Sequence, residues 1–109
     1  AESERGSITS LPEGNNYRLT RPVITFYIEE GSRIEARAID EENMPLVPSI
    51  TEPIGVGLTR EEASIDLANR LVDIFHRLRE VRKRGEGMFE NATQLIQYKR
   101  LEEYLAPAL

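Results

Sequence analysis

The residues predict an α+β fold, a small antiparallel sheet of about three strands packed by one long helix with a second helix at the C-terminal end. Three observations carry this reading. Val23 to Ile28 is dense in β-branched and aromatic side chains. Thr59-Arg60-Glu61-Glu62 is a helix-opening signal followed by a long amphipathic segment. Met88 to Leu105 carries Leu95, Tyr98, Leu101 and Leu105 at helical spacing. A chain of 109 residues has room for one hydrophobic core, so these elements are expected to share it.

The first element is read as non-structural. Residues 1–16 hold only Ile8 and Leu11 as large apolar side chains, among Ser, Glu, Gly, Pro and Asn. Such a stretch buries too little surface to offset the entropy of ordering. It is expected to be a flexible arm, with residues 17–109 forming a single α+β domain.

In the segment that follows, Ile24, Phe26 and Ile28 alternate onto one face of a strand. Glu30-Gly31-Ser32 supplies a turn. Arg33 to Ala38 then alternates again, with Ile34, Ala36 and Ala38 directed to the core and the charges to water. The pair reads as an antiparallel hairpin. Pro45, Pro48 and Pro53 interrupt any further ladder because proline has no backbone donor. A short third strand is expected around Ile54 to Leu58.

The Thr59 hydroxyl can accept from the Glu62 amide while the Glu62 carboxylate reaches back, so a helix is expected from about Arg60 to about Arg84. Glu61 and Glu62 in its first turn, and Arg79, Arg82, Lys83 and Arg84 towards its end, suit the helix dipole. Gly85 can take the left-handed conformation that ends it. Two apolar stripes run along the helix: Ala63, Leu67, Leu71, Ile74 and Leu78 in one, and Ile65, Ala68, Val72 and Phe75 beside it. The first can lie on the sheet. The second needs another cover, either the C-terminal helix or the same surface of a second subunit. Ile65, Ala68, Val72 and Phe75 are therefore the candidate partner or oligomer interface.

Composition removes several chemistries. Cysteine is absent, which excludes disulfides, thiol nucleophiles and thiolate-bound zinc. Charged residues make up 30% of the chain, and Val23 to Ile28, its longest apolar run, is too short to span a bilayer. No basic stretch leads into an apolar one near the first residue, so a cytoplasmic location is expected and no membrane association. A net charge of −5 argues against a surface that attracts nucleic acid as a whole.

No residue is singled out as catalytic, cofactor-binding or metal-ligating, and no cofactor is expected. The single histidine, His76, has no second His or Cys at ligand spacing. Asp40-Glu41-Glu42 lacks the glycine turn and regular ligand spacing of a calcium loop and reads as a solvated turn. Asp66, Asp73 and Glu80 each stand four residues before an arginine, Arg70, Arg77 and Arg84 respectively, so helix ion pairs account for them. Gly55-Val56-Gly57 has neither the third glycine nor the lysine of a phosphate loop. It reads as a strand end, flanking a buried valine, that another backbone approaches closely. Arg79, Arg82, Lys83 and Arg84 are candidate anion contacts, although cations also gather at a helix C-terminus for dipole reasons.

The run from Glu52 to Ala63, followed by Asp66-Leu67 and an amphipathic helix, resembles the strand–turn–helix of HicB-like antitoxin domains. In that family a strand passes through a glycine-containing turn and a Thr-x-Glu-Glu-Ala segment into a helix that packs on the sheet. The resemblance implies a non-catalytic module that binds a partner protein, typically a cognate ribonuclease toxin, often as an oligomer. The chain departs from the family pattern after the helix, where Met88 to Leu105 reads as helix in place of a further strand and a DNA-binding segment.

The expected function is thus a non-enzymatic interaction or regulatory module, a homo-oligomer with a protein partner. Two alternatives remain open: a nucleic-acid-associated accessory protein using the basic end of the long helix, and a small enzyme or enzyme subunit with a carboxylate or histidine site.

Overall fold

The elements follow one another as β1 (Ser3–Ile8), β2 (Tyr17–Leu19), β3 (Val23–Glu30), β4 (Arg33–Ile39), β5 (Ile54–Gly57), α1 (Arg60–Lys83), a 3₁₀ turn at Glu86–Met88, α2 (Ala92–Glu102) and β6 (Leu105–Pro107). These assignments come from a computed structural model that describes residues 3–49 and 51–108. The main sheet is antiparallel in the order β1-β3-β4-β5, and β2 and β6 form a separate two-stranded ribbon. The α+β class, the long helix and the second helix agree with the sequence reading. No helix among the described residues is long and apolar enough to cross a membrane.

The β3–β4 hairpin closes through Gly31-Ser32, with Glu30 opposite Arg33 and Gly31 at φ +62°. A glycine in that position of a two-residue loop suits the turn that matches strand twist. In the register, Thr25 lies opposite Ala38 and Tyr27 opposite Ala36. Directly opposed residues share a face, so Val23, Thr25 and Tyr27 join Ala36 and Ala38 in the core, all five buried. Ile24, Phe26 and Ile28 do share a face, but it is the half-exposed one away from the helix.

α1 lies across β4 and β5. The approach is close enough that a Cβ on Gly55 would stand 2.1 Å from the Ala63 carbonyl oxygen, and one on Gly57 would stand 2.6 Å from the Ala63 nitrogen. The two glycines are therefore the strand's docking surface for the helix, as the spacing suggested. The valine between them is 37% exposed, which corrects its reading as buried: strand alternation sends Val56 to the open face.

Thr59 caps α1 by accepting from the Glu62 amide at 3.1 Å, and the Glu62 carboxylate accepts from the Leu58 amide at 2.9 Å. Asp66 accepts from the Val56 amide at 2.8 Å. Two amides at the sheet's β5 edge are thus satisfied by helix carboxylates, which blunts that edge against further strand pairing. α2 repeats the device: Asn91 accepts from the Gln94 amide at 2.9 Å, and Gln94 accepts from the Glu90 amide at 3.0 Å. α1 ends at Lys83, and Gly85 follows at φ +124°. The final segment is helical over a shorter span than expected, since Leu105–Pro107 turns into β6 and pairs with β2.

The expected flexible arm is mostly placed. Ala1 and Glu2, its first residues, lie outside the described residues, as do Ile50 and Leu109. Ser3–Ile8 forms β1 along the first six residues of β3, from Ser3 opposite Ile28 to Ile8 opposite Val23. Ile8 is buried, the Glu4 carboxylate pairs with Arg60, and the Arg5 guanidinium donates to Asn43. The reason is backbone pairing: the β3 ladder satisfies the strand's amides, a gain that apolar composition does not register. Gly6 contributes because a Cβ there would lie 2.6 Å from the Tyr27 ring, so the glycine lets that ring lie across the strand.

Candidate functional site

The sequence-nominated interface does not survive as a surface. Ala68 and Phe75 are each 2% exposed and belong to the core. Phe75 stacks on Tyr98 with ring centroids 5.6 Å apart and meets the edge of Tyr17 at 5.4 Å. The second stripe is therefore covered by the chain itself, through α2 and the segment around β2. Val72 is partly buried against the same cluster, and Ile65 alone remains open, at 44% exposed.

Arg79, Arg82 and Lys83 stand at i, i+3 and i+4 and share one side of α1, while Arg84 points away from them. The Arg79 guanidinium lies 5.9 Å from the Tyr17 ring centroid. Lys83 pairs with Glu80 at 3.4 Å, and Arg82 is exposed. Arg84 lines a groove on another side. The four do not present one phosphate-tracking strip.

Of the three helix ion pairs expected, Asp66–Arg70 forms, at 3.2 Å. Glu80 turns instead to Lys83, one residue short of Arg84, and also stands 3.9 Å from His76 Nε2. Positions three and four residues along a helix are equally accessible to such a carboxylate. The guanidinium groups of Arg77 and Arg84 take part in no hydrogen bond or ion pair among the described residues.

Those two arginines line a groove of about 720 Å³ between the second half of α1, the start of α2 and the loop from Val47 to Pro53. Ile74, Leu78 and Val81 lie along its α1 wall; Leu78 is buried and the other two are half-buried. Val47, 2% exposed, extends the apolar lining on the loop side, and Met88 stands 57% exposed. Ile74, Arg77, Leu78, Val81 and Arg84 follow a heptad-like spacing, so the apolar and basic groups alternate along one seam.

Four polar side chains of the groove wall each make a bond within the chain. Gln97 donates to the Pro48 carbonyl at 2.7 Å and so ties α2 to the loop. Ser49 accepts from the Thr51 amide at 3.2 Å, while Asn91 and Gln94 serve the α2 cap. Glu90 is the one acid lining the groove among the described residues.

Comparison with protein-family models, with curated proteins and with solved structures finds no match. The site is therefore read from its own chemistry.

Elsewhere the Asp40 carboxylate is the most heavily bonded acid among the described residues. One Asp40 oxygen accepts from the Glu42 and Met44 amides at 2.8 and 3.0 Å, and the other meets Arg100 at 3.0 Å. These bonds, the Met44 amide foremost, hold its carboxyl below the ordinary aspartate range against a smaller opposing effect of burial. Among the described residues no group of three or more His, Asp or Glu is placed to hold a metal. His76 Nδ1 is 2.6 Å from the Tyr17 hydroxyl, a contact between helix and ribbon that the sequence did not reveal. The groove was missed as well. Its signal was present in Arg77 and Arg84 bracketing Val81 on the end of an apolar stripe, but the opposing wall comes from distant residues.

Proposed function

We propose that the protein is a non-enzymatic interaction module that receives a segment of a partner protein in the groove beside Ile74, Leu78 and Val81. The observation that carries this reading is the pair of unpartnered arginines set along an apolar seam. A surface apolar strip continuous with the core is a usual mark of a protein contact. Charges left without internal partners at its border set orientation and specificity.

An antitoxin-like role is the finer form of this proposal. It is supported by the passage from Ile54–Gly57 through Thr59 into a helix lying on an antiparallel sheet. Self-association, expected from the second stripe, has little left to stand on once Ala68 and Phe75 are core residues, so a different chain is the better partner.

The test is affinity capture from the organism that makes the protein, with wild-type chain and an Arg77→Glu/Arg84→Glu variant as parallel baits. A protein retained by the first and lost by the second, with nuclease treatment making no difference, is the expected result. Retention that ignores the two arginines, or that vanishes with nuclease, overturns the reading.

A further inference from the structure

We infer that the segment recognised in the groove is an amphipathic helix carrying two carboxylates one heptad apart on the border of an aliphatic face. The inference rests on the groove being the binding surface and adds the chemistry of what enters it.

Arg77 and Arg84 are separated by about 10.5 Å of helix rise, and seven residues fall only about 20° short of two full turns, so both look out over the same seam. A helix lying alongside presents acids at that same repeat from positions on one face. The residues between the arginines, Leu78 and Val81, then meet the aliphatic side chains that such a helix carries between its acids.

Backbone chemistry selects a helix over an extended peptide. An extended occupant brings unpaired amides and carbonyls that need partners in the wall. None of the groove's lining residues belongs to a strand, so its wall offers no ladder edge to pair with such a peptide. A helix satisfies its own backbone and asks only for apolar contact and charge.

A second copy of this chain is a poor source of that helix. Its acids at heptad spacing on α1 are Asp66, Asp73 and Glu80; Asp66 is held by the Val56 amide and Arg70, and Glu80 by Lys83, so neither heptad pair has both carboxylates free. The occupant is therefore placed on another protein.

The experiment uses the full chain and a synthetic amphipathic helical peptide with leucines on one face and two glutamates one heptad apart at its border. Two further peptides replace those glutamates by Gln or by Lys. Binding is followed by fluorescence anisotropy, and its location by amide chemical-shift changes. The expected result is binding that weakens by roughly tenfold or more with the Gln peptide, as loss of charge-assisted contacts requires. The Lys peptide is expected to prefer the Arg77→Glu/Arg84→Glu variant over wild type, with shifts centred on Ile74, Val81 and Met88.

Equal affinity for the three peptides, shifts centred on the open sheet face, or tighter binding of a single-stranded oligonucleotide overturns the inference. The two proposals fail separately. A native partner captured through Arg77 and Arg84, whose cross-linked segment is extended or lacks the paired acids, removes the helix inference and leaves the module reading intact.

Discussion

The Tyr17 hydroxyl and His76 Nδ1 lie 2.6 Å apart and join the β2–β6 ribbon to the middle of α1. Tyr17 is also pressed against Phe75 and faces the Arg79 guanidinium. The ring is buried among these groups, and its hydroxyl is left one polar neighbour at the helix surface. Replacing Tyr17 by Phe keeps the ring packing and removes that bond. The expected cost is about 1 kcal/mol in denaturant unfolding, the ordinary net worth of one such hydrogen bond. Faster amide exchange across Tyr17–Leu19 is expected to accompany it, whereas unchanged stability would show the contact to be idle.

Phe75 and Ile65, once nominated together as interface, are expected to separate under mutation. Phe75→Ala empties a fully packed site and is expected to cost about 3–5 kcal/mol. Ile65→Ala removes an exposed side chain outside the core cluster and is expected to cost about 1 kcal/mol or less. Chemical denaturation of the two variants decides the matter, and similar values for both would contradict the covered stripe.

These differences show which parts of the structure the sequence could carry. Thr59, Asn91, Gly31 and Gly85 act through neighbours a few residues away, so the helix starts, the hairpin and the end of α1 were legible. β1 was not, because its one buried apolar side chain is Ile8 and its order comes from pairing with a strand some 20 positions further on. On β3 both alternating sets are apolar enough to be buried. The choice falls to Val23, Thr25 and Tyr27 because Ala36 and Ala38 opposite them face α1, and because the Tyr27 hydroxyl reaches Ser64 at 2.6 Å. The groove was illegible for the same reason as β1: it needs Val47 and Gln97 brought to Ile74 and Leu78.

Gly55 should be the least replaceable glycine of the chain. Its substitution by Ala puts a methyl group 2.1 Å from one backbone atom of α1 and 2.5 Å from another, the Leu67 nitrogen. Neither neighbour is a flexible side chain, so helix and strand must part. A loss of about 3 kcal/mol is expected, at the upper end for overpacking. Gly87, with no heavy atom within 4 Å of an added Cβ, is the control, and Gly87→Ala is expected to be nearly neutral. Thermal melts of the two variants give the comparison.

Thr25 is fully buried between Gly6 and Ala38, and its hydroxyl has no hydrogen-bond partner among the described residues. A buried hydroxyl without a partner carries a desolvation cost. Thr25→Val keeps the shape, removes the hydroxyl and suits a strand. It is expected to raise stability by about 1 kcal/mol, and a lower denaturation midpoint would indicate that the hydroxyl is satisfied in solution.

Asp40 provides the pH dependence. The Met44 amide, together with Arg100 and the Glu42 amide, depresses its folded-state pKa. A carboxyl depressed on folding binds its proton more readily in the unfolded chain, so its contribution is present above the unfolded value and is lost as pH falls through the folded one. The loop from Asp40 to Met44 also carries Asn43 at φ 64° and hydrogen-bonds to β1 through Arg5. Protonation is expected to loosen that corner first, before the β3–β4 hairpin. Amide shifts of Glu42 and Met44, followed from about pH 6 down to about pH 2, are expected to titrate together below the ordinary aspartate range. In Asp40→Asn that transition is expected to disappear and the acid limb of the stability profile to flatten. A midpoint at or above the ordinary range would mean that these bonds do not favour the charged carboxylate.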